Sequence, residues 1–375
     1  MINEERLLKT FLKIAGTDSP SLKEGKVAAL IKEIFTDHGI KVKEDDLALK
    51  IGGECGNLIC HLPSNLEGRK VPGIVFAAHM DTVMPCEGKN IIVDYDEDLI
   101  KTDGRTILGG DDVAGISALM EVFISIKEMN MPHGDLWGIF TVGEEIGLYG
   151  SKYIDFEACG VRAKHGYVLD SGGYIGTCSI KGPAQSVMKL RFRGKSAHAG
   201  IEPEKGVNAL TSAAEAVASF EQGRIDEDST CNVGIISGGS ATNIICNIAY
   251  VDMEVRSHSD KRLKEIMDDI IEKCALACSK RGGSFSIEIK NTYPAYSVCK
   301  ESKLIENYQK ACGRARVKPV YERTGGGSDA NFFNYKGIDT VNISVGISKA
   351  HTTEEYLRPS HLNKAAALIY ELCWQ

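Results

Sequence analysis

A chain of 375 residues exceeds what one small core organises and points to two domains. Hydrophobic residues at 43% and charged residues at 25% are ordinary for a globular protein and exclude a disordered or fibrous one. A net charge of -7 without a charged tail gives no footing for nucleic acid, and no apolar run reaches the roughly 18–20 residues of a membrane span.

The N-terminus, MINEERLLKTFLKIAG, scatters charges among Leu7, Leu8, Phe11, Leu12 and Ile14. That spacing predicts an amphipathic first helix, not the apolar stretch of a secretory leader, and places the chain in the cytoplasm. A second helical pattern, GKVAALIKEIFTDHGI, closes at His38-Gly39, a C-terminal stop signal. Three short β-rich runs follow: GIVFAA (73–78), LWGIFTV (136–142) and GYVLD (166–170). Each runs into polar or glycine residues, as buried strands of a parallel sheet do. The helical stretch VAGISALMEVFISIKEM (113–129) lies between the first two runs, so strand, helix and strand alternate as in an α/β protein.

From about residue 183 the pattern changes. SVMKLRFRG reads as a strand, VNALTSAAEAVASF as a helix, and CNVGIISG and ICNIAYVDMEVRS as strands; a helix (260–280) and the strand SFSIEIK complete β-α-β-β-α-β, a ferredoxin-like unit. After Tyr293-Pro294 the chain returns to helix, strand (TVNISV) and final helix. The expected architecture is a mixed-sheet α/β catalytic domain formed by 1–181 and 294–375, with an α+β lid inserted at 182–293. The twelve cysteines include no C-x-x-C pair and read as reduced, buried, structural thiols; Cys274 and Cys278 share a helix face, which alone makes no metal site.

Five stretches carry candidate chemistry. In FAAHMDTV, His79 and Asp81 stand two apart beyond a strand, so a carboxylate can orient a metal-binding imidazole; taken alone, the pattern favours a surface turn with a capping Asp. In ILGGDDVAG, Asp111 or Asp112 can cap the next helix or bridge two cations. In IFTVGEEIG, Glu144 and Glu145 repel one another unless a cation compensates or water solvates the turn. Asp170 ends GYVLD, and His351 stands before TTEEYL, where Thr352 or Thr353 can cap a helix. Together, two histidines and three carboxylates suffice for a pair of metals about 3.5–4 Å apart that act on a hydrolytic water.

The ordered strings FAAHMDTV, LGGDDVAG, GEEIGLYGS, GKSAHAG, SGGSATNII, GGGSDANFFN and AHTTEEYL resemble the peptidase T-like branch of the co-catalytic zinc peptidases, a superfamily that also holds carboxypeptidase G, succinyl-diaminopimelate desuccinylase and aminoacylase. The resemblance spans nearly the whole chain. It implies His79, Glu145, Asp170 and His351 as terminal ligands, Asp111 as the bridging ligand of two Zn²⁺ (cobalt or manganese in their place), Asp81 as orienter of His79 and Glu144 as general base. In the lid it implies His198, Asn243, Arg256 and the Gly325–Ser328 loop, with Gly326, as substrate contacts, and a homodimer formed through the lid. Two departures, Val113 where relatives often carry lysine and Cys246 where many carry proline, touch no implied ligand but weaken any transfer of substrate preference. The expected activity is hydrolysis of short peptides, tripeptides above all, with Asp112 and Asp329 near the site to accept the substrate's free ammonium. The rival is an N-acyl amino acid deacylase or carboxypeptidase using the same metals. A silent scaffold would lack part of the ligand set, which this chain retains.

Overall fold

The computed structural model describes residues 2–68 and 71–374. Helices α1 (Glu4–Ala15) and α2 (Gly25–Asp37) each bury one stripe, Leu7, Phe11 and Ile14 in the first and Val27, Ile31 and Phe35 in the second. The chain continues through β1 (Val42–Glu44), α3 (Leu47–Ile51) and β2 (Leu58–Leu62) into β3 (Gly73–His79), whose every residue is buried. A hairpin, β4 (Ile91–Asp94) with β5 (Leu99–Thr102), precedes α4 (Gly110–Glu128); β6 (Leu136–Thr141), α5 (Tyr149–Tyr153), β7 (Ala163–Gly172) and β8 (Thr177–Gly182) follow. The chain then runs through β9 (Ala184–Arg193), α6 (Ala209–Ser219), β10 (Gly223–Asp226), β11 (Ser229–Gly238), β12 (Ile248–Ser257), α7 (Asp260–Arg281) and β13 (Ser284–Tyr293). It ends with β14 (Tyr296–Ser297), α8 (Lys303–Arg314), β15 (Val320–Arg323), α9 (Asp329–Tyr335), β16 (Asp339–Ile347), β17 (Tyr356–Leu357) and α10 (Pro359–Leu372).

The chain divides into two compact units: Met1–Lys181 with Ser297–Thr324 and Ser328–Gln375, and Gly182–Tyr296 with Gly325–Gly327. The second division falls after Tyr296, not after residue 293, and the glycine loop goes with the smaller unit.

In the larger unit the main sheet runs β1-β2-β6-β3-β7-β16-β8-β14, with β15 beside β8. Strands β6, β3, β7 and β16 are parallel, while β2 and β8 flank them antiparallel, which makes the sheet mixed. Parallel strands covered on both faces read as unbroken apolar runs, which is why β3 and β6 were visible in the sequence. Helix α4, buried along almost its entire length, packs on β3 between α1 and α10. Within it Glu121, 1% exposed at the side chain, pairs with Arg6 of α1 (Nε to Oε2, 2.6 Å). Removing one partner of a buried pair strands the other charge. Arg6→Ala is therefore expected to cost about 3 kcal/mol, read as a lower urea midpoint. The double change Arg6→Met with Glu121→Leu should recover most of it; equal loss in both variants would contradict this account.

In the smaller unit, β9 and β12 alternate buried and less buried residues, as half-covered strands must. Met188, Leu190, Phe192, Val251, Met253 and Val255 pack with Ala213, Ile266 and Ile270 of the helices. The strand order β13-β9-β12-β11 is that of a ferredoxin-like sheet; a fifth strand, β10, which the sequence pattern did not suggest, adds at the outer end.

All twelve cysteines are free. The expectation that all are buried fails at Cys299, which is exposed and bonded to Glu301 (2.9 Å), and at half-buried Cys159. Burial raises the Cys274 thiol to about 12 and keeps it protonated. No helix among the described residues is long and apolar enough to cross a membrane.

Candidate metal centre

Open α/β sheets place their sites at the carboxyl ends of parallel strands. Here β3 ends at His79, β6 runs through Val142 into the Glu144–Glu145 turn, β7 carries Asp170, and His351 follows β16. Gly143, at φ +58°, makes the turn in a region that favours glycine. Ahead of α4, Gly109 is left-handed (φ +76°), and Asp111 (φ -83°, ψ 102°) and Asp112 (φ -119°, ψ 35°) depart from helical geometry; the peptide bond joining them is cis.

Asp111 sits at the centre of the cluster. Its Oδ1 is 3.0 Å from His79 Nε2, and its Oδ2 is 3.2 Å from His351 Nε2. Asp170 Oδ1 lies 3.7 Å from His79 Nε2, and Glu145 Oε1 lies 3.0 Å from His351 Nε2. Two triads with ligand atoms inside 4.8 Å result, His79–Asp111–Asp170 and Asp111–Glu145–His351, and they share Asp111. A third group, His79–Glu144–Glu145, brings Glu144 to the same place.

The charges explain why such a cluster needs a partner. Burial, then the charge of Asp111, raises Asp170 to about 8. Burial lifts Glu144 well above the usual carboxylate range, with Asp170, Glu145 and Asp329 adding to the rise against the pull of His79. Burial resists the charging of His79, but hydrogen bonds to Asp111, Asp170 and Asp81 outweigh it and hold its pKa well above the usual. His351, bonded to Asp111 and Glu145, rises to about 10. Imidazole and carboxylate donors crowded against their own repulsion fit divalent cations of the zinc type.

The two aspartates of the paired motif divide its two readings. Asp111 faces the histidines, whereas Asp112, 0% exposed, accepts from Gly115 N–H and His79 N–H (both 3.1 Å) and caps the helix. Asp81 does more than face His79. Its carboxylate is 3.5 Å from Nδ1, which sits closer to the Asp81 backbone carbonyl (2.9 Å). The carboxylate oxygens accept from Glu144 N–H (2.9 Å), Glu145 N–H (3.2 Å) and the Ser21 hydroxyl (2.6 Å). The expectation that Asp112 and Asp329 meet the substrate's ammonium is corrected: both are buried, and Asp329 accepts from the Thr141 hydroxyl (2.6 Å).

In the smaller unit, His198 and Asn243 lie on exposed segments that pair: His198 bridges Ile244, and Ala199 N–H donates to the Asn243 carbonyl (2.9 Å). Arg256 donates to Glu254 and to the Gly325 carbonyl (3.1 Å), next to Gly326. Val113 is buried at the start of α4, and the Cys246 thiol donates to the Ile248 carbonyl (3.0 Å).

Two buried carboxylates escaped the sequence reading. Glu24 Oε1 accepts from Leu22 N–H and Gly143 N–H (both 2.9 Å), and burial raises it to about 7, with Asp81 adding to the rise. Glu355 accepts from Gly109 N–H (2.8 Å) and Asp111 N–H (3.0 Å). Glu355 stands beside the His351 motif, a local signal; Glu24 had only its place before α2.

Comparison with known proteins adds the following. The model of the M20 peptidase dimerisation domain matches residues 185–281. The structure of aminopeptidase PepT from Bacillus cereus is 38% identical over 99% of this chain and 98% of its own, with a TM-score of 0.93. A tripeptidase from Staphylococcus aureus is 36% identical, covering 100% and 98%, at a TM-score of 0.94. Peptidase T of Listeria monocytogenes is 27% identical over 98% of both chains.

Proposed function

The chain belongs to the M20 peptidase family, in its peptidase T branch, and from that premise we propose how its site works. It is a metal-dependent peptidase of the tripeptidase type. Our reading is that His79, Asp111 and Asp170 hold one zinc ion and Asp111, Glu145 and His351 a second. The observation that carries it is the placement of the two Asp111 oxygens, one toward each histidine. Bound there, the ions would lower the pKa of a water towards neutrality and draw charge from the scissile carbonyl.

The protein's own groups do the rest. Glu144, nearly buried beside the ligands, takes the proton of the attacking water and passes it to the leaving amine. Asp81 holds Glu144 and Glu145 through their backbone, so neither depends on its own side chain for position. His198, Asn243, Arg256 and Gly326 are assigned to the substrate's polar groups, with His198 at the carbonyl oxygen.

The preferred substrate is a tripeptide with a free α-amino group. The test is kcat/KM for a tripeptide, its N-acetylated form and an N-acetyl amino acid, with metal content measured in the same preparation. Acetylation should cut the rate at least about tenfold, the loss of one ordinary hydrogen-bonded contact. A best rate on the N-acetyl amino acid would replace this reading with the deacylase one; full activity in metal-free protein would remove the metal.

We assign a homodimer through the dimerisation domain. Among the described residues, strand β10 pairs only with Ser229–Cys231 of β11, and the rest of β11 carries Ile235 and Ile236, 56% and 46% exposed. An open edge with apolar side chains is a template for a second strand. Light scattering should give twice the chain mass, and Ile236→Lys should halve it; a monomer with full activity at the same concentration would end the assignment. The free thiols fit the reducing cytoplasm, which cell fractionation would check.

A further inference from the structure

We propose that Glu355 is a positioning residue for the metal centre: its carboxylate fastens the turn that presents Asp111 to the loop that presents His351. The inference rests on the reading of the cluster as a metal centre.

Glu355 is 1% exposed and absent from the triads that offer ligand atoms, so it acts through backbone. Its Oε2 takes Gly109 N–H and its Oε1 takes Asp111 N–H. Held at its own amide, the Asp111 backbone cannot shift away from the histidines without breaking a charge-assisted bond. The glycines make room for this grip: a Cβ at Gly110 would meet Glu355 Oε1 at 3.2 Å, and one at Gly109 would meet the Lys89 amine at 2.8 Å. The Lys89 amine is buried, has no hydrogen-bond partner among the described residues, and attracts Glu355 by charge.

At its other end Glu355 belongs to the His351 loop. Ser348 and Tyr356 close that loop by exchanging backbone bonds (both 3.1 Å), and Glu355 N–H donates to the Thr352 carbonyl (3.1 Å). His351 itself is left-handed (φ +63°), a conformation that persists only where surroundings impose it. One side chain thus joins two loops that are 244 residues apart in sequence at the level of Asp111. Such outer partners typically change metal affinity about 10–100-fold when removed.

Glu355→Gln keeps the shape and one acceptor oxygen but turns a donor toward the second N–H; Glu355→Ala removes both acceptors. Zinc affinity is measured by competition with a chromophoric chelator, and cobalt-substituted protein reports ligand geometry through its visible absorption. Affinity should fall about 10–100-fold, further for Ala than for Gln, with an altered cobalt band and an unchanged KM at saturating metal. Wild-type affinity and an unchanged band in Glu355→Gln, with only a lower melting temperature, would reduce Glu355 to support of the fold and overturn the proposal. If Glu355→Ala fails to fold, the isosteric Gln variant decides alone. Failure of the wild-type protein to bind zinc or cobalt is a separate result and would remove the metal-centre reading along with the proposal.

Discussion

Glu144→Gln is expected to lower kcat about 10²–10⁴-fold while the protein keeps its fold and its divalent ions. The backbone of Glu144 is held by Asp81 Oδ1 at 2.9 Å, so the turn does not rely on the Glu144 carboxylate. Gln has the same shape but cannot accept the water's proton. The measurement pairs steady-state kinetics on a tripeptide with elemental analysis of the same sample. Near-normal kcat would show that another group is the base. Loss of metal together with activity would make Glu144 a ligand, as the His79–Glu144–Glu145 group permits.

What the sequence disclosed depends on how local the cause is. Strands β3 and β6 were legible because burial on both faces leaves nothing but apolar residues. The alternation of β9 and β12 was legible because one face alone is covered. Strand β10 was not: GRID is short and largely exposed, and only its pairing with β11 makes it a strand. The β4–β5 hairpin, with β17 at its side, has mixed burial and no period to read.

The site follows the same rule. His79, Glu144 and Asp170 were legible because each lies at or just past an apolar run that parallel strands must supply. The choice between Asp111 and Asp112 was not legible from spacing, because adjacent aspartates have the same chemistry; the resemblance alone implied Asp111. The Asp111 N–H is met by Glu355, far along the chain. Glu24 and Ser21 were missed for the same reason. Their partners, Gly143 and Asp81, come near only when the sheet forms.

The two aspartates therefore separate by experiment where they did not by pattern. Asp111→Asn should strip both ions, since its two oxygens face both histidines and an amide offers only one comparable donor. Activity should fall by at least about 100-fold, the upper range for lost metal support. Asp112→Asn should keep the ions when metal is saturating. The cost arises where the new amide meets the His79 or Gly115 N–H that a carboxylate oxygen had accepted. An unmet buried donor there costs about 1–2 kcal/mol, visible as a lower denaturation midpoint with kcat within a few-fold of wild type. Elemental analysis and urea unfolding of both variants in the same buffer are the measurements. Retention of both ions by Asp111→Asn, with their loss from Asp112→Asn, would invert the roles assigned to the pair and leave the bridging position to Asp112.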